Sequence, residues 1–159
     1  MFKNILVPLD GSELSEKILP KVEDLAKTHK AQITLITASD FDFGPSYYLT
    51  QEVIKEGQAR TKEASEKYLR QTADKLEEKG LKAKWIYKRG QAASEIVATA
   101  KDDDVDLIAM ATHGGGEVAW WTLGSVAERV VSHSSVPVML LPVMEYKPPT
   151  LKAEWFKGA

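Results

Sequence analysis

Cysteine is absent from the 159 residues. That excludes a disulfide framework, a thiolate zinc site and a cysteine nucleophile. Neither sign of charge dominates: 21 Lys and Arg stand against 23 Asp and Glu, a formal net charge of −2 with a pI near 6.0. Such a balance sets up no global field for a nucleic-acid backbone. Long hydrophobic runs are missing too. The longest, Val136 to Met144, is broken by Pro137 and Pro142 and falls far short of the roughly 20 residues a membrane span needs. The opening MFKNILVPLDGSE passes from a short apolar stretch straight into acidic residues. It has no small-residue cleavage site, so no signal peptide is read. The expectation is a soluble cytoplasmic protein with no membrane insertion and no nucleic-acid partner.

What is present suits one globular domain. The length corresponds to about one domain, and a hydrophobic fraction of 43% is enough to fill its core. Ile5 to Leu9 reads as a buried strand closed by the turn at Asp10-Gly11. Ser12 is a candidate N-cap for a helix reaching about His29, with Leu14, Ile18, Val22, Leu25 and Ala26 on one stripe. Ala31 to Ala38 reads as a second strand, and a long polar helix is expected from about Gln51 to Lys79, stopped by Gly80. Its stripe is thin: Leu69, Ala73 and Leu76. Leu81 to Lys88 suits an edge strand, because its lysines blunt an exposed edge.

A helix from Gln91 to Asp102 follows, and Asp102-Asp103-Asp104 reads as its solvated end. Asp106 to Ala111 has the pattern of a strand buried on both faces. Ser125 to about His133 is a short helix, and Val136 to Leu141 a fifth strand. Strands alternating with helices imply an α/β fold with an open parallel sheet and helices on both faces. Residues 1–143 form that domain in this reading, and 144–159 a C-terminal extension with Pro148-Pro149.

In such a sheet, ligands sit outside the carboxyl ends of strands where the winding reverses. Asp10, at the end of the first strand, could accept hydrogen bonds from ribose hydroxyls. It could equally close an Asx-turn on the Ser12 and Glu13 amides. Gly114-Gly115-Gly116 would let backbone approach an anion closely and take positive φ at little cost. Gly124-Ser125 opens a helix whose N–H groups favour phosphate. Ser125-Val126-Ala127-Glu128 also reads as a capping box, which needs no ligand. Three histidines without cysteine make no metal-ligand pattern, and no residues are read as catalytic or metal-binding. Neither G-x-x-x-x-G-K-[ST] nor an early G-x-G-x-x-G is present.

Four blocks resemble the universal stress protein family: Ile5-Leu6-Val7-Pro8-Leu9-Asp10-Gly11-Ser12, Asp106 to Gly114 (DLIAMATHG), Leu123 to Val130 (LGSVAERV) and Val136-Pro137-Val138. The resemblance implies a Rossmann-like five-stranded sheet of order 3-2-1-4-5. It also implies one of two branches: one binds ATP through G-x-x-G-(nine residues)-G-[ST], and the other lacks the motif. Gly114, nine residues, then Gly124-Ser125 match the first branch, while Ala111 replaces its first glycine. Alanine serves if that position donates its amide at negative φ, and costs stability if positive φ or close ligand approach is needed.

Carried over by that resemblance, Asp10 holds ribose, and Ala38 and Met110 line the adenine pocket. Gly114, Gly124 and Ser125 hold phosphates, and Pro8, Ala111 and Val126 complete the nucleotide site. A Mg²⁺ or Mn²⁺ ion would ride on the phosphates rather than in a protein cage. The implied function is that of a nucleotide-dependent stress sensor or switch, with at most slow ATP hydrolysis and a possible regulatory protein client. A member without nucleotide, acting through protein partnership, is the alternative. Trp120 and Trp121 are expected to pack under the loop or on a partner rather than on adenine. A homodimer is expected through Val136 to Leu141, an apolar edge without lysine.

Overall fold

The computed structural model describes residues 1–40, 49–115 and 123–143. Its elements run β1 (Asn4–Pro8), α1 (Glu13–Glu16), α2 (Leu19–His29), β2 (Gln32–Ser39), α3 (Gln51–Glu78), β3 (Lys82–Arg89), α4 (Ala92–Asp102), β4 (Leu107–Ala111), α5 (Ser125–His133) and β5 (Val138–Leu141). The five strands form one sheet of order β3-β2-β1-β4-β5, and every pairing is parallel. Fold class and strand order therefore stand as the sequence led one to expect. The 144–159 extension, Gly116, Trp120 and Trp121 lie outside the described residues.

Alternation along the strands divides the core into two layers. Ile5 and Val7 of β1, with Leu107 and Ala109 of β4, pack in one cluster with Val22 of α2 and Leu69, Ala73 and Leu76 of α3. Leu6, Ile108 and Met110 point the other way, into a cluster with Ile96 and Ala100 of α4 and Ala127 and Val130 of α5. All five residues of β4 are buried, as a strand covered on both faces requires.

The single helix read after Ser12 is in fact two. Ser12 does cap α1, accepting from the Ser15 amide at 3.2 Å. The helix then breaks and restarts as α2 at Leu19. Pro20 explains the break: it has no N–H for the Glu16 carbonyl, and its ring crowds that carbonyl four residues back. Tyr68 of α3 donates to Glu16 Oε1 at 2.7 Å, which ties α1 to the helix beside it.

The end of α3 is built on Gly80, at φ 79°. The Gly80 amide reaches Glu77 O at 2.9 Å and the Leu81 amide reaches Leu76 O at 3.2 Å, the two bonds of a Schellman motif. An added Cβ would meet nothing within 4 Å, so the demand is purely conformational. β5 is shorter than read, Val138–Leu141, because Pro137 cannot donate to a ladder and only its carbonyl is used, accepting Ile108 N at 2.9 Å. Both β3 and β5 are edges; β3 exposes Lys82, Lys84 and Lys88 to solvent, while every residue of β5 is half-buried.

Gly80→Ala is expected to cost about 1 kcal/mol in urea denaturation, and Gly80→Asn less, because asparagine tolerates the left-handed region better. Leu69→Ala, which empties a fully buried position under the sheet, is expected to cost about 3 kcal/mol by the same measurement.

Candidate functional site

Hydrogen-bond parity along β1 decides where a cleft can open. Leu9 N donates to Ile36 O of β2, whereas Asn4 O accepts from Asp106 N on the β4 side. Odd residues of β1 thus serve β2 and even residues serve β4. Pro8 is even and has no N–H. The β1–β4 register accordingly stops at Leu6↔Ile108, although β4 continues to Ala111. Beyond Leu6 the two central strands part, and a cavity of about 200 Å³ lies at their carboxyl ends.

All nine residues picked out from sequence line this cavity: Pro8, Asp10, Ala38, Met110, Ala111, Gly114, Gly124, Ser125 and Val126. Sequence reading did not pick out Leu9, Ser15, Ile36, Ala92, Ile96, Thr112, His113 or Ala127, which also line it. Ile36 could have been found, since it shares the face of Ala38 two residues on. Ala92 and Ile96 could not, because their place depends on how α4 crosses over β2. Together Ile36, Ala38, Met110, Ala92 and Ile96 make an apolar floor.

Asp10 stands at the polar end. Its Oδ1 accepts from the Ser12 amide at 2.9 Å and from the Ser12 hydroxyl, and its Oδ2 accepts from the Gly115 amide at 2.9 Å. The Asx-turn expected from sequence therefore exists for Ser12, but the second amide is Gly115's and not Glu13's. Burial pushes the carboxyl up; the Ser12 hydroxyl, the Gly115 and Ser12 amides and the Ser15 hydroxyl outweigh it and hold Asp10 below the ordinary carboxylate range.

The glycines act differently from the expectation. The described loop glycines, Gly114, Gly115 and Gly124, are not among the positive-φ residues. Close approach is what they permit. A Cβ on Gly114 would collide with Asp10 Oδ2, and one on Gly124 would lie 2.8 Å from Thr112 O. The amide of Gly124 donates to that same carbonyl at 2.9 Å, so it is engaged within the protein and cannot also serve a phosphate. Ala111, in place of the motif glycine, sits in β4 opposite Leu141 and outside the positive-φ region, where alanine carries no backbone penalty.

The capping box read at Ser125 is not formed. Gly124 is the N-cap of α5, its carbonyl taking Glu128 N at 2.9 Å, and no side chain caps the helix. Ser125 is therefore the first helical residue, and Glu128 is one position too far along to reach back to the cap. The N–H groups of Ser125, Val126 and Ala127 have no partner inside the helix, and they end it at the cavity wall. Among the described residues no cluster of His, Asp and Glu is arranged to hold a metal ion.

The Universal stress protein family model matches residues 1–142. The chain belongs to the universal stress protein family. Universal stress protein YxiE of Bacillus subtilis is 31% identical over 147 residues, covering 89% of this chain and 99% of that protein. Universal stress protein MJ0577 of Methanocaldococcus jannaschii is 30% identical over 155 residues, covering 89% and 95%. The solved structure of MJ0577 superposes with a TM-score of 0.79, covering 89% of this chain and 96% of that one. An Arabidopsis thaliana universal stress protein family protein, solved with AMP bound, shares the fold at 17% identity and a TM-score of 0.65, covering 93% and 96%. No described helix of this universal stress protein is long and apolar enough to cross a membrane.

Because folding depresses the Asp10 pKa, its contribution is present above the unfolded pKa and is lost as pH falls through the folded one. Asp10→Asn is thus expected to lower the urea midpoint at neutral pH, by less than about 1 kcal/mol for so exposed a carboxylate. The gap between the two proteins should close as pH falls below the ordinary carboxylate range.

Proposed function

We propose that this universal stress protein binds ATP and acts as a nucleotide-dependent stress sensor or regulatory switch. The observation that carries the reading is the juxtaposition at the β1–β4 gap. A hydrogen-bonded carboxylate, an apolar floor and a helix N-terminus without a side-chain cap face one cavity. The Arabidopsis relative solved with AMP supports it by analogy within the fold.

The chain's residues fit the parts of the nucleotide as follows. Adenine, flat and apolar on its faces, suits the floor of Ile36, Ala38, Met110 and Ile96. Asp10 Oδ1 already takes two hydrogens and Oδ2 takes one, which leaves Oδ2 a lone pair for one ribose hydroxyl. The amides of Gly114, Ser125 and Val126, with the Ser125 hydroxyl, face the phosphates. From Thr112 to Glu128 the chain has no Lys or Arg. Phosphate charge must then be balanced mainly by a Mg²⁺ or Mn²⁺ ion carried on the phosphates, which supplies charge neutralisation when bound. With no Lys or Arg in that stretch to stabilise a transferring phosphoryl group, any hydrolysis is expected to be slow.

We propose further that two copies pair through β5. Its Val138-Met139-Leu140-Leu141 is an apolar, half-buried edge without a charged gatekeeper, whereas the opposite edge carries lysines. A regulatory client protein would then read a dimer rather than a single chain.

Calorimetry with ATP and Mg²⁺ is expected to give a dissociation constant of about micromolar order, and Gly124→Val, which intrudes on Thr112 O, to abolish the heat while the fold persists. No heat and no thermal stabilisation at millimolar-order ATP would favour the branch that acts through protein partnership alone. Light scattering is expected to give about twice 17.6 kDa, and Leu140→Lys to return the mass to one chain; a wild-type mass near 17.6 kDa would refute the dimer.

A further inference from the structure

Helices α4 and α5 each have two working sides. One side of the pair lines the cavity described above through Ala92, Ile96, Ser125 and Val126. Another carries a second, shallow groove of about 420 Å³. Its floor is made of small apolar side chains, Ala93, Val97 and Ala98, and its rim holds Lys101, Arg129 and His133. Ala93 is buried, while all three rim residues are exposed. None of the three forms an ion pair among the described residues, where Lys62–Glu66 and Lys79–Glu23 are the salt bridges observed. The acidic neighbours Asp102, next to Lys101 on α4, and Glu128, next to Arg129 on α5, are not among the residues that line the groove, and Glu95 turns its carboxylate toward Gly90.

The rim is also held in place. His133 Nδ1 lies 2.9 Å from Arg129 O, and since a carbonyl only accepts, Nδ1 carries the proton and the ring is fixed against its own helix. Lys101 and His133 both lie in the last turns of their helices, where the dipoles favour cations. On a chain with a net charge of −2, the lining of this groove thus carries Lys101 and Arg129 and no acidic residue.

We propose that this groove docks an acidic segment of another protein, its carboxylates meeting Lys101 and Arg129 and its small apolar side chains resting on Ala93, Val97 and Ala98. Charge complementarity selects that occupant. The chain's own residues 144–159 have the wrong sign, with Lys147, Lys152 and Lys157 against Glu145 and Glu154. The proposal stands on the groove alone and does not depend on nucleotide binding.

The test is fluorescence anisotropy of a labelled peptide alternating glutamate and alanine, titrated with the full chain. Saturable binding is expected, weakening as salt rises from about 0.05 to about 0.5 M. Lys101→Glu with Arg129→Glu should weaken it by about tenfold or more, and the milder Lys101→Gln with Arg129→Gln by less. Lys21→Glu with Lys27→Glu, on α2 beneath the other face of the sheet, should leave it within about twofold. Circular dichroism melting confirms that each variant is folded. Absence of saturable binding, equal loss in groove and α2 variants, or undiminished binding by both groove variants would overturn the proposal. So would light scattering that showed these substitutions breaking contacts between copies of this chain instead.

Discussion

The structure turns on a hydrogen bond that cannot form. β1 and β4 are the two central strands, and their ladder is the seam at which the sheet's winding reverses. Pro8 falls on the parity that faces β4 and has no N–H, so the seam ends at Leu6 while both strands run on. A continuous ladder would have filled the gap with backbone. Its interruption leaves room between the strand ends, and the reversal sends the flanking helices to opposite faces. The cavity follows from those two facts before any side chain is considered.

Side chains and missing side chains then shape the opening. Asp10 leaves the end of β1 and is held by amides from both walls, Ser12 on its own turn and Gly115 across the gap. That bridge brings the loop after β4 so near that only glycine fits at position 114. Gly124 repeats the constraint where the chain returns, pinned by its amide to Thr112 O. Thr112 in turn accepts the Val143 amide at 3.4 Å through its hydroxyl and gives its own amide to Leu141 O at 3.0 Å, which fastens the end of β4 to β5. The consequence at α5 is a helix that begins on a glycine with no side-chain cap among the described residues, at the wall of the space that Asp10 borders. The contact that holds the loop on Asp10 and the N-terminus of α5 thus border the same cavity.

Much of this was legible in the chain. The unbroken apolar run Ile5-Leu6-Val7 marks a strand buried on both faces, and the alternation of strands with helices leaves few topologies open. The family's four blocks indicated the strand order and contain eight of the nine cavity residues picked out from sequence, Ala38 lying outside them. The misreadings share a cause. Ser12 to His29 looked like one helix because its apolar stripe is continuous, yet Pro20 breaks the backbone beneath that stripe. Ser125 looked like a cap because S-x-x-E is a local pattern, yet the cap was decided by a bond from Gly124 to a residue on another strand's end.

By itself, then, the sequence determined the fold class, most of the elements, the two edges and part of the cavity wall, since these depend on periodicity and on residue types at fixed short spacings. Tertiary structure alone decided how each wall residue is used. Whether Asp10 closes on Glu13 or on Gly115, whether Gly124 offers an amide or only its lack of a Cβ, and whether Ala92 and Ile96 reach the cavity depend on distances between segments far apart in the chain. Those distances are set by packing all the helices on the sheet at once, and no local pattern contains them.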